Sequence, residues 1–152
     1  MRIAPLRDED VDAIDAAGLG LARHPSQTGF YLVAWAGNTP LGHAHLALSD
    51  PPELQDVEVL PASRRKGVAT ALTREAEREV ARRGYDRLTL TVSVDNAPAQ
   101  ALYRRCGYVD TGVPPKHVQG TVRLRTRLLE FDDTLLTWEK RLRVDSGGAR
   151  SS

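Results

Sequence analysis

The sequence predicts an α/β domain, and three observations predict it. Residues 54–60 alternate as a strand does, and a basic turn containing Gly67 carries that strand directly into a helix at residues 68–83. On that helix Val68, Leu72, Ala76 and Val80 recur every four residues, which places them on one face. Strand patterns and helix patterns then continue to interleave on both sides of this unit.

The elements follow in chain order. Residues 2–6 read as a short first strand. Asp8 then opens a helix with Val11, Ile14 and Ala17 on one face, ended by Gly18 and Gly20. Residues 19–29, with Pro25, form an irregular link. Residues 30–36 and 41–48 are strands joined through Gly37-Asn38-Thr39-Pro40, a hairpin signal. Asp50-Pro51-Pro52 turns the chain into the central strand. Pro61 ends that strand, because proline donates nothing to a ladder. Gly84 closes the central helix. Residues 88–94 form an apolar interior strand. Asn96 begins the next helix, with Pro98 in its first turn and Gly107 at its end. Residues 108–113 and 135–142 are the sixth and seventh strands. Between them, residues 114–134 are too many for a plain loop, and Arg123, Arg125 and Arg127 alternate around Leu124. That segment is expected to form an extra strand or an arm, with Leu124 and Leu128 buried against something. Residues 1–144 read as a single domain and 145–152 as a disordered tail.

Composition bounds the function. A chain of 152 residues with 41% apolar and 27% charged residues supports one ordinary hydrophobic core. A net charge of +1 gives no reason to expect nucleic acid or a membrane as partner, although arginine outnumbers lysine eighteen to three. With no apolar run long enough to span a bilayer, no export signal and a single cysteine, the expected location is the cytoplasm.

The turn into the central helix has a chemical use. A helix N-terminus leaves backbone N–H groups unpaired and carries the positive end of the dipole, so it attracts phosphate. Gly67 allows close approach of an anion, Ala69 is small, and Arg64, Arg65 and Lys66 add charge. Taken alone, such a turn is usually an ordinary connection. It has neither the G-K-[ST] of a P-loop nor a G-x-G-x-x-G.

A second motif changes the reading. Val59-Leu60-Pro61 followed by Arg64 to Ala69 matches V-x-P and then [QR]-x-x-G-x-[GA]. Asn96, Ala99, Tyr103, Gly107 and Tyr108 match N-x-x-A-x-x-x-Y-x-x-x-G-[FY]. Together, in this order and each on its expected element, they resemble the Gcn5-related N-acetyltransferase (GNAT) superfamily. The close match spans about residues 53–109. The resemblance implies a mixed, mostly antiparallel sheet of about seven strands flanked by about four helices, and acetyl-CoA as cosubstrate without a metal. It implies direct attack of a primary amine on the thioester. It also implies that the central strand splays from its neighbour, freeing the N–H of Val57 for the acetyl carbonyl and the backbone of Val59 for the pantetheine arm.

By the same resemblance, residues 64–70, including Val68 and Thr70, hold the pyrophosphate. Asn96 and Ala99 add contacts to CoA, and Tyr103 protonates the departing thiolate. Glu53 is taken as the base, with Glu58 or a water chain as alternatives. Glu58 stands on the face opposite Val57 and Val59 unless a bulge re-aims it. His43 and His45 share one strand face, without the acidic or cysteine neighbours that a metal would need, so they are expected on the wall of the acceptor groove. Tyr31, Val33 and Trp35 line that wall or the core. Cys106, with nothing to activate it, reads as structural. The acceptor is a small-molecule or peptide amine, and residues 114–134 either cover the acceptor side or join a homodimer. The rival reading is a non-catalytic CoA-binding regulatory or structural domain.

Overall fold

The structure, a computed structural model, describes residues 1–21, 29–124 and 127–143. The link around Pro25, Arg125 and the tail at 145–152 therefore lie outside the described residues.

The chain runs β1 (Arg2–Pro5), a 3-10 turn, α1 (Val11–Ala16), β2 (Gly29–Ala36), β3 (Thr39–Ala47), β4 (Glu53–Val59), a second 3-10 turn, α2 (Val68–Arg82), β5 (Arg87–Ser93), α3 (Ala97–Cys106), β6 (Val109–Asp110), β7 (Lys116–Arg123) and β8 (Leu128–Arg141). Eight strands form one sheet in the order β1-β2-β3-β4-β5-β8-β6, with β7 also on β8. Among the described residues only β4 and β5 are parallel.

The count corrects the expectation of seven strands and four helices. Residues 114–134 supply β7 and the outer half of β8. The stretch between β1 and β2 supplies one six-residue helix, so three α-helices occur among the described residues. The start of α1 also differs. Asp8 does not cap it: Asp8–Asp10 form a 3-10 turn, closed by Asp10 accepting the backbone N–H of Arg7 at 3.1 Å and its guanidinium at 2.9 Å, and α1 follows with Asp10 at its N-cap position.

Pleat alternation divides the core in two. Even-numbered residues Leu32, Ala34, Ala44, Leu46 and Leu54 face Val68, Leu72, Ala76 and Val80, the stripe expected on α2. Leu88, Leu90 and Val92 continue this layer beneath Tyr103 and Cys106 of α3. The odd-numbered Val33 and Trp35 instead pack with Ile14, Leu19 and Leu21, so α1 covers the opposite face.

A buried polar network braces the α2 and α3 side. The hydroxyl of Tyr108 donates to Glu77 Oε2, and Lys140 Nζ donates to Glu77 Oε1, both at 2.9 Å. Tyr108 also meets Tyr103 edge to face, with centroids 5.9 Å apart. Tyr108→Phe should therefore cost about 1–3 kcal/mol, because it strips a donor from a buried carboxylate. Urea unfolding read by tryptophan fluorescence measures this, and an unchanged midpoint would reduce the network to packing.

Candidate active site

β4 and β5 pair at only two positions, Glu53 with Thr89 and Leu54 with Leu90. Beyond Leu54 no residue of β4 has a partner on β5, while β5 pairs with β8 along its whole length. The sheet therefore opens between two strands whose free edges face each other.

A bulge shapes the same stretch. His45 pairs with Gln55 and His43 with Glu58, so Ala44 of β3 lies opposite both Asp56 and Val57. Asp56 takes a left-handed conformation, with φ 52°. The extra residue moves Glu58 onto the face already occupied by Glu53 and Gln55. Val57 and Val59 stay on the other face, against the α2 core. Without the bulge, Glu58 would share a face with Leu54.

The polar face is tightly connected. Tyr31 donates its hydroxyl to Asp56 at 2.6 Å, and its ring meets those of His43 and His45 edge to face. His45 Nδ1 lies 3.1 Å from Gln55 Oε1, and Gln55 Nε2 donates to Glu53 Oε1 at 2.8 Å. His43 is wholly buried. Its Nε2 donates to the carbonyl of Gly20 at 2.5 Å and stands 3.4 Å from Glu58 Oε1. Glu58 Oε1 accepts the N–H of Gly20 at 3.0 Å. His43 and His45 are buried, and Tyr31 packs against the core cluster that holds Val33 and Trp35. Among the described residues no group of three His, Cys, Asp or Glu side chains is placed to hold a metal ion.

The basic turn leaves the opening at its α2 end. Arg65 and Gly67 both adopt positive φ, 64° and 82°, and no side chain caps the start of α2. A Cβ built on Gly67 would meet, beyond its own chain neighbours, no atom of the described residues within 4 Å, so the space before the helix terminus is open. Uncapped N–H groups, the helix dipole and the exposed Arg64, Arg65 and Lys66 together fit an anion. Val68 is buried in the core, whereas Ala69 and Thr70 are half-buried. Arg64 has a second engagement: its Nε donates to the carbonyl of Val59 at 3.1 Å. A ligand that hydrogen-bonds to that carbonyl has to share it or displace the arginine.

On the far side, Asn96 Oδ1 accepts the N–H of Ala99 at 3.1 Å, the cap expected for α3. Gln100, not singled out from the sequence, ties α3 to the end of β5 by donating to the carbonyls of Ser93 and Val94. Tyr103 is 8% exposed in the same core cluster that borders Val57, and burial pushes its phenol up to about 12. Cys106 is buried and its thiol is likewise raised by burial, so it is not a poised nucleophile.

Residues 114–134 build a two-stranded arm. β8 continues past its last pairing with β5, Ser93 with Leu135, and from there pairs with β7 from Lys116–Leu135 to Arg123–Leu128. One face of this ribbon carries Val118, Val122, Leu129 and Phe131. At the tip Leu124 is buried, as expected, but Leu128 is 59% exposed, against expectation: the strand pleat turns it to the ribbon's outer face. The contacts of Gly20 and Asp56 leave no trace in the sequence, where a glycine after a helix reads as a cap.

Known proteins bear on this geometry. A model described as the Acetyltransferase (GNAT) family matches residues 4–108. A streptothricin acetyltransferase from Streptomyces lavendulae is 40% identical over 68 residues, which are 45% of this chain and 36% of that protein. The match thus spans about a third of that relative's length. Among solved structures, the ribosomal-protein-S18-alanine N-acetyltransferase from Escherichia coli superposes with a TM-score of 0.65 at 18% identity, covering 97% of both chains. A Bacillus subtilis acetyltransferase in complex with CoA gives 0.69 at 18% identity over 93% of this chain and 99% of that one. Nourseothricin acetyltransferase gives 0.68 at 20% identity, over 93% and 98%. At such identities these structures share the fold.

Proposed function

The chain belongs to the GNAT family of acetyltransferases, and we propose that it transfers an acetyl group from acetyl-CoA to a primary amine by direct attack on the thioester. The observation that carries this reading is the opening between β4 and β5, with an uncapped helix start and exposed basic turn at one end and a carboxylate-bearing face at the other. CoA present in the Bacillus subtilis neighbour supports the same cosubstrate.

The roles follow from placement. Backbone N–H groups of residues 67–70, with Arg64, Arg65 and Lys66, hold the pyrophosphate; Asn96 and Ala99 flank it from α3. The unpaired edge of β4 at Val57 and Val59 receives the acetyl carbonyl and the pantetheine arm. The amine loses its proton to Glu53. One oxygen of that carboxylate is held by Gln55, and the other takes no partner among the described residues. Glu58 is the poorer base, because Gly20, His43 and Arg127 already surround its carboxylate. Attack forms the new C–N bond, the C–S bond breaks, and the CoA thiolate leaves toward Tyr103.

Burial pushes the Tyr103 phenol up to about 12, above the roughly 8.5 of an ordinary thiol, which disfavours surrender of its proton to the departing thiolate. Tyr103 therefore stabilises the leaving sulfur chiefly by donating a hydrogen bond. Tyr103→Phe should lower kcat by about ten- to a hundredfold with acetyl-CoA affinity unchanged. Because the phenol stays protonated below about 12, Tyr103 should produce no alkaline fall in rate at ordinary assay pH. Wild-type turnover in the variant would make Tyr103 a packing residue.

A single domain over residues 1–144 carries this activity, in the cytoplasm, with a small-molecule or peptide amine as acceptor and neither nucleic acid nor membrane as partner. The near-neutral charge and the lone buried cysteine support that placement. A homodimer is supported by the apolar arm face with Leu129 and Phe131, 43% and 38% exposed. The deciding experiment is thiol release from acetyl-CoA over a panel of amines, after calorimetry has shown CoA binding. Binding without turnover would favour the non-catalytic CoA-binding domain.

A further inference from the structure

Most arginines of α2 are matched by carboxylates on the same helix. Arg78 donates to Glu75 through two nitrogens, at 3.0 and 2.8 Å. Arg82 meets both Glu75 and Glu79, and Arg83 meets Glu79 at 2.6 Å. Arg74 stands apart, because among the described residues it takes no carboxylate. The same contrast recurs where β8 ends: Arg141 pairs with Asp86 at 3.6 Å, whereas Arg143 has no such partner among the described residues.

These two unmatched guanidiniums border one groove. It holds about 270 Å³ between Arg74, Glu77, Arg78 and Ala81 of α2 and Leu142 and Arg143 beyond β8. The four α2 positions fall on one face by their spacing. Glu77, the carboxylate in the groove, gives no answer to Arg74, since Tyr108 and Lys140 already hold its two oxygens. Three guanidiniums thus face a groove whose one carboxylate is neutralised from within the protein.

The groove lies away from the opening. Arg141 of β8 pairs with Arg87 at the start of β5, whereas the opening begins beyond Leu90, further along β5. The N–H groups that start α2, at residues 67–70, belong to that other end. No helix N-terminus contributes here, so recognition of an anion falls to the guanidinium forks alone.

We propose that this groove is a binding site for a small dicarboxylate, bridged between Arg74 on α2 and Arg143 beyond β8, with Arg78 at the rim. A guanidinium presents parallel N–H donors that match the two oxygens of a carboxylate. Two such forks on opposite banks favour a ligand that carries two carboxylates. The groove is smaller than the roughly 300–1,000 Å³ of drug-sized pockets, which limits the ligand to a few atoms. All three arginines are exposed, so the affinity is modest and falls with salt. The site does not depend on the acetyl-transfer reading.

The test is a titration of the full chain with succinate at low salt, followed by the backbone amide resonances. Saturable shifts should appear at residues 74–81 and 140–143, with a Kd of about 1 mM. Acetate, with one carboxylate, should bind at least about tenfold more weakly. Arg74→Gln and Arg143→Gln should each weaken succinate about tenfold, the resonances elsewhere reporting an intact fold. Arg123→Gln removes the same charge from the arm and should leave the Kd within about twofold. No saturation by about 20 mM succinate overturns the site. So do shifts confined to the basic turn at residues 64–70, an equal response to acetate, or unchanged affinity in the Arg74 and Arg143 variants.

Discussion

Replacing Gly67 with valine should weaken acetyl-CoA binding at least about a hundredfold, a loss of about 2.7 kcal/mol. Two effects act together. The branched side chain would project into the open space before α2, where, beyond the chain neighbours, no atom of the described residues lies within 4 Å of a Cβ but where a phosphate would have to sit. It would also hold a β-branched residue at φ 82°, which costs about 1–3 kcal/mol of strain. The two are separable. Strain lowers the melting temperature of the free protein, whereas obstruction lowers affinity alone. Gly67→Asn provides the comparison, since asparagine tolerates the left-handed region yet still fills the space. Asparagine should therefore keep most of the stability and lose the affinity. Calorimetric titration with CoA decides it, and undiminished binding by the valine variant would mean that the turn holds no phosphate. Arg64→Ala should weaken binding less, because the backbone supplies much of the recognition and Arg64 is partly committed to the Val59 carbonyl.

Glu53→Gln should lower kcat by about a hundredfold or more, with the acetyl-CoA Kd unchanged. Glutamine keeps the volume and can still accept the hydrogen bond from Gln55, so the change is confined to the capacity to take a proton. The cofactor side should not respond, because Glu53 lies on the opposite sheet face from α2: it pairs with Ala47, in register with His45 and His43. Glu58→Gln is the internal comparison. It should act mainly on acceptor KM, because that carboxylate is committed to Gly20 and stands beside Arg127. Wild-type turnover from the Glu53 variant would leave deprotonation to water. A larger loss of kcat from Glu58→Gln would exchange the roles of the two carboxylates.

The sequence by itself determined whatever is decided within a few residues of chain. Pro61 ends β4 because it lacks a donor, Asn96 caps α3 because its side chain reaches the N–H three residues on, and the four-residue repeat of α2 fixes its buried stripe. Both motif elements, and with them the family, were legible for that reason. The tertiary structure alone decided where distant strands meet. The bulge at Asp56 shows nothing in composition, because an extra residue in a strand looks like any other residue until its partner strand is known. Yet it sets which face Glu58 occupies. The parting of β4 and β5 after Leu54 is likewise a relation between strands more than thirty residues apart. The arm was visible only as an excess of length, and its alternation placed Leu124 but misplaced Leu128, since period two says which residues share a face and not which face is covered. Gly20 reads as a helix terminator in the sequence; its contact with Leu124, more than a hundred positions away, arises only when the arm folds back over the sheet.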